Sequence, residues 1–85
     1  MTRSTTQAVK QRIAELVEGC SDGALAVGDL LEGDATLSER GLTSLARMRL
    51  LDAVEAEFGV EITLDESGWA LTDDLDALAA HLTAR

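Results

Sequence analysis

The feature that most constrains the fold is an apolar stripe in the middle of the chain, bounded at both ends by residues that start and stop helices. Its members recur at three- and four-residue steps: Leu45, Met48, Leu51, Val54 and Phe58. That spacing is typical of one face of an α-helix. Thr43 precedes the stripe as a hydroxyl N-cap, and Gly59 follows it where a left-handed residue ends a helix. The pattern predicts a helix over residues 44–58.

Three other segments complete the helical pattern. Residues 5–20 carry an apolar stripe formed by Val9, Ile13, Leu16, Val17 and Cys20. Residues 72–83 carry another, formed by Leu75, Leu78 and Leu82. Thr72 is the N-cap candidate of this last helix, and the acidic side chains that follow it suit the positive end of the helix dipole. A short helix is predicted over residues 65–69.

Residues 21–43 form the irregular part of the chain. Glycine and aspartate punctuate the segment, which is predicted as a long loop lying across the helices, with one helical turn near Val27 to Leu31 as an option. The chain has no proline, and Phe58 and Trp69 are its only aromatic residues, a composition that favours helices over sheets. We therefore expect one all-α domain spanning residues 1–85. Its architecture is a four-helix bundle with a long loop between helices 1 and 2 and a short third helix.

The charge pattern limits the partners. The formal net charge is −9, and the stretch from Leu50 to Ala84 contains nine acidic residues and no lysine or arginine. Such a surface repels phosphate backbones, so nucleic acid is excluded and partners with basic patches are favoured. No apolar segment reaches membrane-spanning length, and the N-terminus lacks the apolar run of a signal peptide. The single cysteine, Cys20, rules out an internal disulfide, which suits the cytoplasm.

The most informative motif joins the long loop to the best helix. It reads Leu-Ser-Glu-Arg-Gly-Leu-Thr-Ser-Leu over residues 37–45, and Phe58-Gly59 follows at the end of the helix. This motif resembles the acyl and peptidyl carrier protein family, whose pattern is an apolar residue, Leu-Gly, an apolar residue, Asp-Ser-Leu and a helix ending in Phe-Gly. The resemblance covers nearly the whole chain. Two positions depart from it, since Thr43 stands where Asp is usual and Arg40 where Leu is usual.

The resemblance implies that Ser44 carries a covalent 4′-phosphopantetheine arm derived from coenzyme A. A phosphopantetheinyl transferase would attach the arm, an adenylation or acyl-loading enzyme would charge it, and condensing or tailoring enzymes would use the thioester. The local sequence agrees, because a phosphodiester anion is favoured at the first turn of a helix. The plain alternative is that Thr43 and Ser44 only begin a helix, as hydroxyl residues often do.

Residues around Ser44 are expected to form the surface that partner enzymes contact: Leu42, Thr43, Leu45, Arg47, Met48 and Arg49. Carriers of fatty-acid synthesis typically present acids at the early exposed positions of this helix, where Arg47 and Arg49 stand here. We therefore favour a free-standing, monomeric carrier of nonribosomal peptide or polyketide biosynthesis. A carrier of fatty-acid synthesis is the first alternative. A small helical interaction module that carries nothing is the second.

Other chemistry finds little support in the sequence. A serine nucleophile needs a neighbouring base, and the only histidine, His81, is expected at the surface of the last helix. Cys20 is expected to be a small buried apolar residue, and Trp69 an anchor for the short third helix. The acids at positions 73, 74 and 76 do not match the ligand spacing of a calcium loop. No catalytic residue, metal site or enzymatic activity is therefore predicted.

Overall fold

The computed structural model describes residues 2–33, 35–63 and 65–84, and every regular element among them is helical. The five helices are α1 (Thr2–Cys20), α2 (Val27–Leu30), α3 (Ser44–Phe58), α4 (Glu66–Leu71) and α5 (Leu75–Thr83). The expected all-α fold class is thus confirmed. None of the described helices is both long enough and apolar enough to span a bilayer.

The two ends of α3 are set by the residues that the sequence singles out. The Thr43 hydroxyl accepts a hydrogen bond from the backbone N–H of Ala46 at 3.1 Å, which satisfies one of the free donors of the first turn. Gly59 adopts a left-handed conformation with φ of 64° and ends the helix. Both assignments made from the sequence are confirmed.

The last helix begins later than the sequence predicts. Thr72 is not its N-cap, because the Thr72 hydroxyl is buried and donates to the Trp69 carbonyl at 2.6 Å, at the end of α4. Asp74 takes the capping position instead and accepts from the N–H of Ala77 at 3.1 Å. The preceding helix α4 is correspondingly longer than residues 65–69, with Asp65 as its own cap.

The other boundaries differ at α1 and within the long loop. Helix α1 begins at Thr2 rather than near residue 5, and its first turns lie against the end of α5, where the Thr6 and Thr83 hydroxyls hydrogen-bond at 3.3 Å. Within the segment 21–43, the optional helical turn near Val27 to Leu31 is present as the single turn α2, so the loop is not continuous. Leu30 on that turn is buried, so the turn is held by packing.

The core lies between α1, α3 and α5. Its fully buried members come from all three helices: Ile13, Ala14, Val17, Leu50, Val54, Leu78 and Ala79. The face of α3 that is buried differs from the predicted stripe, because Leu45 and Met48 are exposed. Each three-residue step falls about 60° short of a full helical turn, so a stripe built of such steps winds around the helix. The buried face instead follows the four-residue steps Ala46, Leu50 and Val54.

The loop before α3 is fixed to the junction between α4 and α5. The N–H and hydroxyl of Ser38 both donate to one carboxylate oxygen of Asp73, each at 2.7 Å. The N–H of Leu37 donates to the Asp73 carbonyl at 2.9 Å, and the Leu37 side chain is buried. These contacts hold the segment that leads into the first turn of α3.

Candidate functional site

Ser44 is the first residue of α3, and its side chain is exposed. Its hydroxyl forms no hydrogen bond with any described residue, and neither do the backbone N–H groups of Ser44 and Leu45. The N–H of Ala46 is occupied by the Thr43 cap. The first turn of α3 therefore combines a free hydroxyl with free N–H donors at the positive end of a helix, an arrangement that favours an anion.

The approach to Ser44 is a tight turn with a buried anchor. Gly41 has φ of 96°, a conformation that side-chain-bearing residues rarely adopt, and its N–H donates to the Ser38 carbonyl at 3.0 Å. Leu42 is buried in the core, and its N–H donates to the Leu37 carbonyl at 2.9 Å. The prediction that Leu42 belongs to a partner-docking surface is therefore wrong. Burial of its side chain fixes the turn instead.

Arg47 is also misplaced by the sequence prediction, because it is buried rather than exposed. Its Nη2 donates to the Trp69 carbonyl at 2.7 Å and to the Thr72 hydroxyl at 3.1 Å. The guanidinium lies 4.1 Å from the centre of the Trp69 ring, in cation–π geometry, and Nε is 3.8 Å from a carboxylate oxygen of Asp73. Arg47 thus ties α3 to α4 and cannot contact a partner in this conformation.

The remaining members of the expected docking surface are exposed. Thr43, Leu45, Met48 and Arg49 all face solvent beside Ser44. Among the described residues, two large apolar side chains are exposed: Leu45 is 62% exposed and Met48 is 47% exposed. Leu45 and Met48 therefore leave apolar area in water on the first turns of α3, close to Ser44 in the chain.

A groove of about 320 Å³ opens beside Ser44, between the end of α1 and the start of α3. We call it the α1–α3 groove; its lining includes Cys20, Leu25, Arg40, Leu45, Ala46 and Arg49. Cys20 is half-buried rather than fully buried as expected, and burial raises the pKa of its thiol above the ordinary value, while the nearby Arg49 opposes the rise. The groove cannot be predicted from the sequence, because the segments that build it are distant along the chain.

Comparison with known proteins identifies the family. A family profile described as "Phosphopantetheine attachment site" matches residues 8–82. The chain belongs to this carrier-protein family. No curated protein and no solved structure matches the chain at a significant level. The covalent group of the family is 4′-phosphopantetheine, and its domains generally work with phosphopantetheinyl transferases and partner enzymes.

The start of α3 fits this prosthetic group. Covalent attachment through a phosphodiester requires an accessible hydroxyl, which Ser44 offers without having to break a hydrogen bond to a described residue. The free N–H groups of Ser44 and Leu45 can then face the phosphodiester anion. Thr43, which stands where the family pattern has aspartate, caps the helix, a role for which both residue types are suited.

The structure does not bring Ser44 and His81 together into a catalytic pair. His81 is exposed on α5 and lines a shallow depression with Ile62, Gly68 and Leu71, and Ser44 does not line that depression. No group of three or more histidine, cysteine or acidic side chains within residues 2–33, 35–63 and 65–84 is placed to hold a metal ion. Carrier domains of this family are generally not catalysts themselves.

Proposed function

We propose that this carrier holds acyl or aminoacyl intermediates as thioesters on a 4′-phosphopantetheine arm attached to Ser44. The observation that supports the proposal is the exposed, unbonded Ser44 hydroxyl at the start of α3, inside the residues that match the family. The arm supplies a terminal thiol that forms the thioester with the cargo. The chain itself supplies the attachment point and the surface that enzymes recognise, and we propose no catalytic activity for it.

The first turn of α3 supplies both the hydroxyl for attachment and the N–H donors beside it. Attachment replaces the Ser44 hydroxyl proton with a bond to phosphorus, while the nucleotide portion of coenzyme A leaves. The free N–H groups of Ser44 and Leu45 would stabilise the negative charge of the phosphodiester. The Thr43 cap holds this turn in the unmodified chain, ready for attachment.

The partner surface that we propose consists of Thr43, Leu45, Met48 and Arg49. The two apolar side chains provide area that a transferase, a loading enzyme or a condensing enzyme can bury. Arg49 forms no ion pair with a described residue, so its charge remains available to a partner. Charges at the rim of an interface mainly set the association rate and partner choice.

The exposed Arg49 also favours a role for this carrier in natural-product assembly, either of nonribosomal peptides or of polyketides, over a role in fatty-acid synthesis. Because Arg47 is buried, Arg49 is the basic residue on the exposed face of α3, where carriers of fatty-acid synthesis typically present acids. A fatty-acid carrier is the second candidate, because the exposed acids Asp52 and Glu57 follow on the same helix. We further propose a cytoplasmic monomer: the single cysteine suits a reducing compartment, and the net charge of −9 repels other copies.

Loading of the arm-bearing protein tests the function. The protein is first modified with coenzyme A and a broad-specificity transferase, and then offered to an adenylation enzyme with its amino acid or to an acyltransferase with acyl-coenzyme A. We expect a second mass increase that hydroxylamine removes, as a thioester requires. Ser44→Ala should take up neither arm nor cargo. An arm-bearing protein that accepts no acyl group from enzymes of either kind would contradict the proposal.

Met48 provides the sharpest test of the proposed surface, because it is exposed and does not line the α1–α3 groove. Met48→Gln keeps the length of the side chain but makes it polar. We expect kcat/KM of the transferase to fall by up to about tenfold, since burying one such side chain at an interface is worth about 1.5 kcal/mol. The melting temperature should stay unchanged, as should kcat/KM for the control Gln11→Ala, exposed on α1. An unaltered kcat/KM for Met48→Gln would exclude this side chain from the surface.

A further inference from the structure

We propose that the α1–α3 groove binds the cargo end of the arm and selects short acyl groups that end in a carboxylate. The inference rests on the proposed function of Ser44. Thr43 and Leu45, the two neighbours of Ser44 in the chain, both line the groove. An arm that leaves the Ser44 oxygen can therefore turn back into it without crossing another element.

The lining of the groove combines apolar side chains with polar ones, and two cations are among them. Leu25, Leu42 and Ala46 give it apolar surface, and Leu42 and Ala46 belong to the buried core. Arg40 and Arg49 also line it, and neither forms an ion pair with a described residue. One nitrogen of Arg40 donates to the Glu32 carbonyl, which orients the guanidinium and leaves its other N–H groups available.

The charge balance of the groove differs from that of the chain. Two arginines stand against one acid, Asp22, whereas the chain as a whole carries a net charge of −9. Burial keeps the thiol of Cys20 in its neutral form at neutral pH, so it adds no negative charge. A carboxylate at the end of the cargo could therefore form an ion pair with an arginine of the groove. Arginine binds carboxylates with directed hydrogen bonds.

The volume of the groove sets the size of the cargo. About 320 Å³ lies at the lower end of the range for small-molecule sites, which favours a short acyl group over a long fatty chain. The substrate class that fits both properties is a short dicarboxylic acid held as a monothioester. A neutral acyl group of equal length would fill the same space without an ion pair.

A matched pair of arms tests the proposal. Ser44 is loaded from coenzyme A analogues in which an amide replaces the thioester, one ending in a succinyl group and the other in a butyryl group. These arms carry no thiol, so Cys20 is the sole thiol of each protein. The readouts are the backbone amide chemical shifts of the groove and the rate of Cys20 alkylation by iodoacetamide.

We expect the succinyl arm to shift the amides of Leu25 and Arg49 and to slow Cys20 alkylation roughly twofold to fivefold relative to the butyryl arm, the range of an exposed ion pair. Arg49→Gln should remove the difference between the arms. Lys10→Gln, which removes a positive charge that pairs with Asp76 on α5 outside the groove, should keep it. Equal shifts and equal alkylation rates for both arms would overturn the inference while leaving Ser44 as the attachment point. Absence of either arm from the wild-type mass would overturn the proposed function as well.

Discussion

At the scale of single residues, Arg47 joins three parts of the chain that are far apart in sequence. From its position on α3 it donates to the Ser38 hydroxyl in the preceding loop at 3.3 Å, and it also reaches Trp69 on α4 and Thr72 beyond it. Burying a guanidinium costs desolvation free energy. Removing the Arg47 side chain, however, would take a hydrogen-bond donor away from each of these partners. Its contribution is therefore to fix α4 and the loop relative to α3.

Replacing Arg47 should lower the free energy of unfolding much more than replacing Arg49. We expect Arg47→Leu to lower the free energy of unfolding by about 2–3 kcal/mol, because hydrogen bonds to a charged group and a cation–π contact are lost. Arg49→Leu removes the same charge from an exposed position and should change it by at most about 0.5 kcal/mol. Urea denaturation of the two variants makes the comparison. Equal values would show that Arg47 is not a structural link.

Roles of single residues that depend on near neighbours can be predicted from the sequence. Roles that depend on residues far along the chain cannot. The Thr43 cap, the left-handed Gly59 and the position of Ser44 depend on neighbours within a few residues, so their types and spacing suffice. Burial of Arg47 depends on Trp69 and Thr72, which lie 22 and 25 residues further along the chain. Arginine is rarely buried, so the sequence favoured exposure.

At the scale of elements, α4 depends on a close approach of two backbones. A Cβ atom at Gly68 would lie 1.7 Å from the Thr63 carbonyl oxygen, far inside van der Waals contact. Asp65 caps the same helix by accepting from the Gly68 N–H at 2.8 Å and from the Ser67 hydroxyl at 2.9 Å. These bonds hold the pKa of Asp65 below its ordinary value. The short helix is thus positioned by a glycine and a cap together.

Gly68→Ala should therefore destabilise the protein although alanine favours helices. We expect a loss of about 1–3 kcal/mol, the usual cost of overpacking when a backbone must shift. Gly19→Ala is the matched control, since nothing lies within 4 Å of a Cβ there and the glycine is in α1. That variant should gain about 0.4–1 kcal/mol through reduced freedom of the unfolded chain. Thermal unfolding of both variants measures the difference, and a stable Gly68→Ala protein would contradict the packing described.

Element boundaries show where sequence reasoning reaches its limit. Periodicity located the long helices because their buried faces repeat along the chain. The start of α5 was misassigned because Thr72 and Asp74 are both acceptable caps, and burial of the Thr72 hydroxyl decides between them. The single turn α2 agrees with the optional turn near Val27 to Leu31, and burial of Leu30 in the core is what holds it.

At the scale of the whole molecule, negative charge outweighs the ion pairs that oppose it. The described ion pairs across helices include Lys10 with Asp76 at 2.7 Å and Arg12 with Glu57, both at exposed or partly exposed positions. Exposed pairs contribute little each. Most of the 16 acidic residues repel one another across the surface, since the chain has 7 lysines and arginines to offset them.

Salt should therefore stabilise the fold by screening this repulsion. We expect the melting temperature to rise between low ionic strength and physiological ionic strength, where charges more than about 8 Å apart are largely screened. Glu61→Lys, which reverses an exposed charge outside the helices, should raise the melting temperature at low salt and give a smaller gain at high salt. A melting temperature that stays flat or falls with salt would show that repulsion does not limit stability.

The attachment of the arm to Ser44 is the central claim, and site-resolved mass spectrometry tests it most directly. The protein is incubated with coenzyme A and a broad-specificity phosphopantetheinyl transferase, its intact mass is measured, and fragmentation locates the added group. We predict one arm per chain on Ser44, full modification of the control Ser67→Ala, exposed on α4, and none of Ser44→Ala, with helical content unchanged. An arm located on any other residue, or one that persists in Ser44→Ala, would contradict the account.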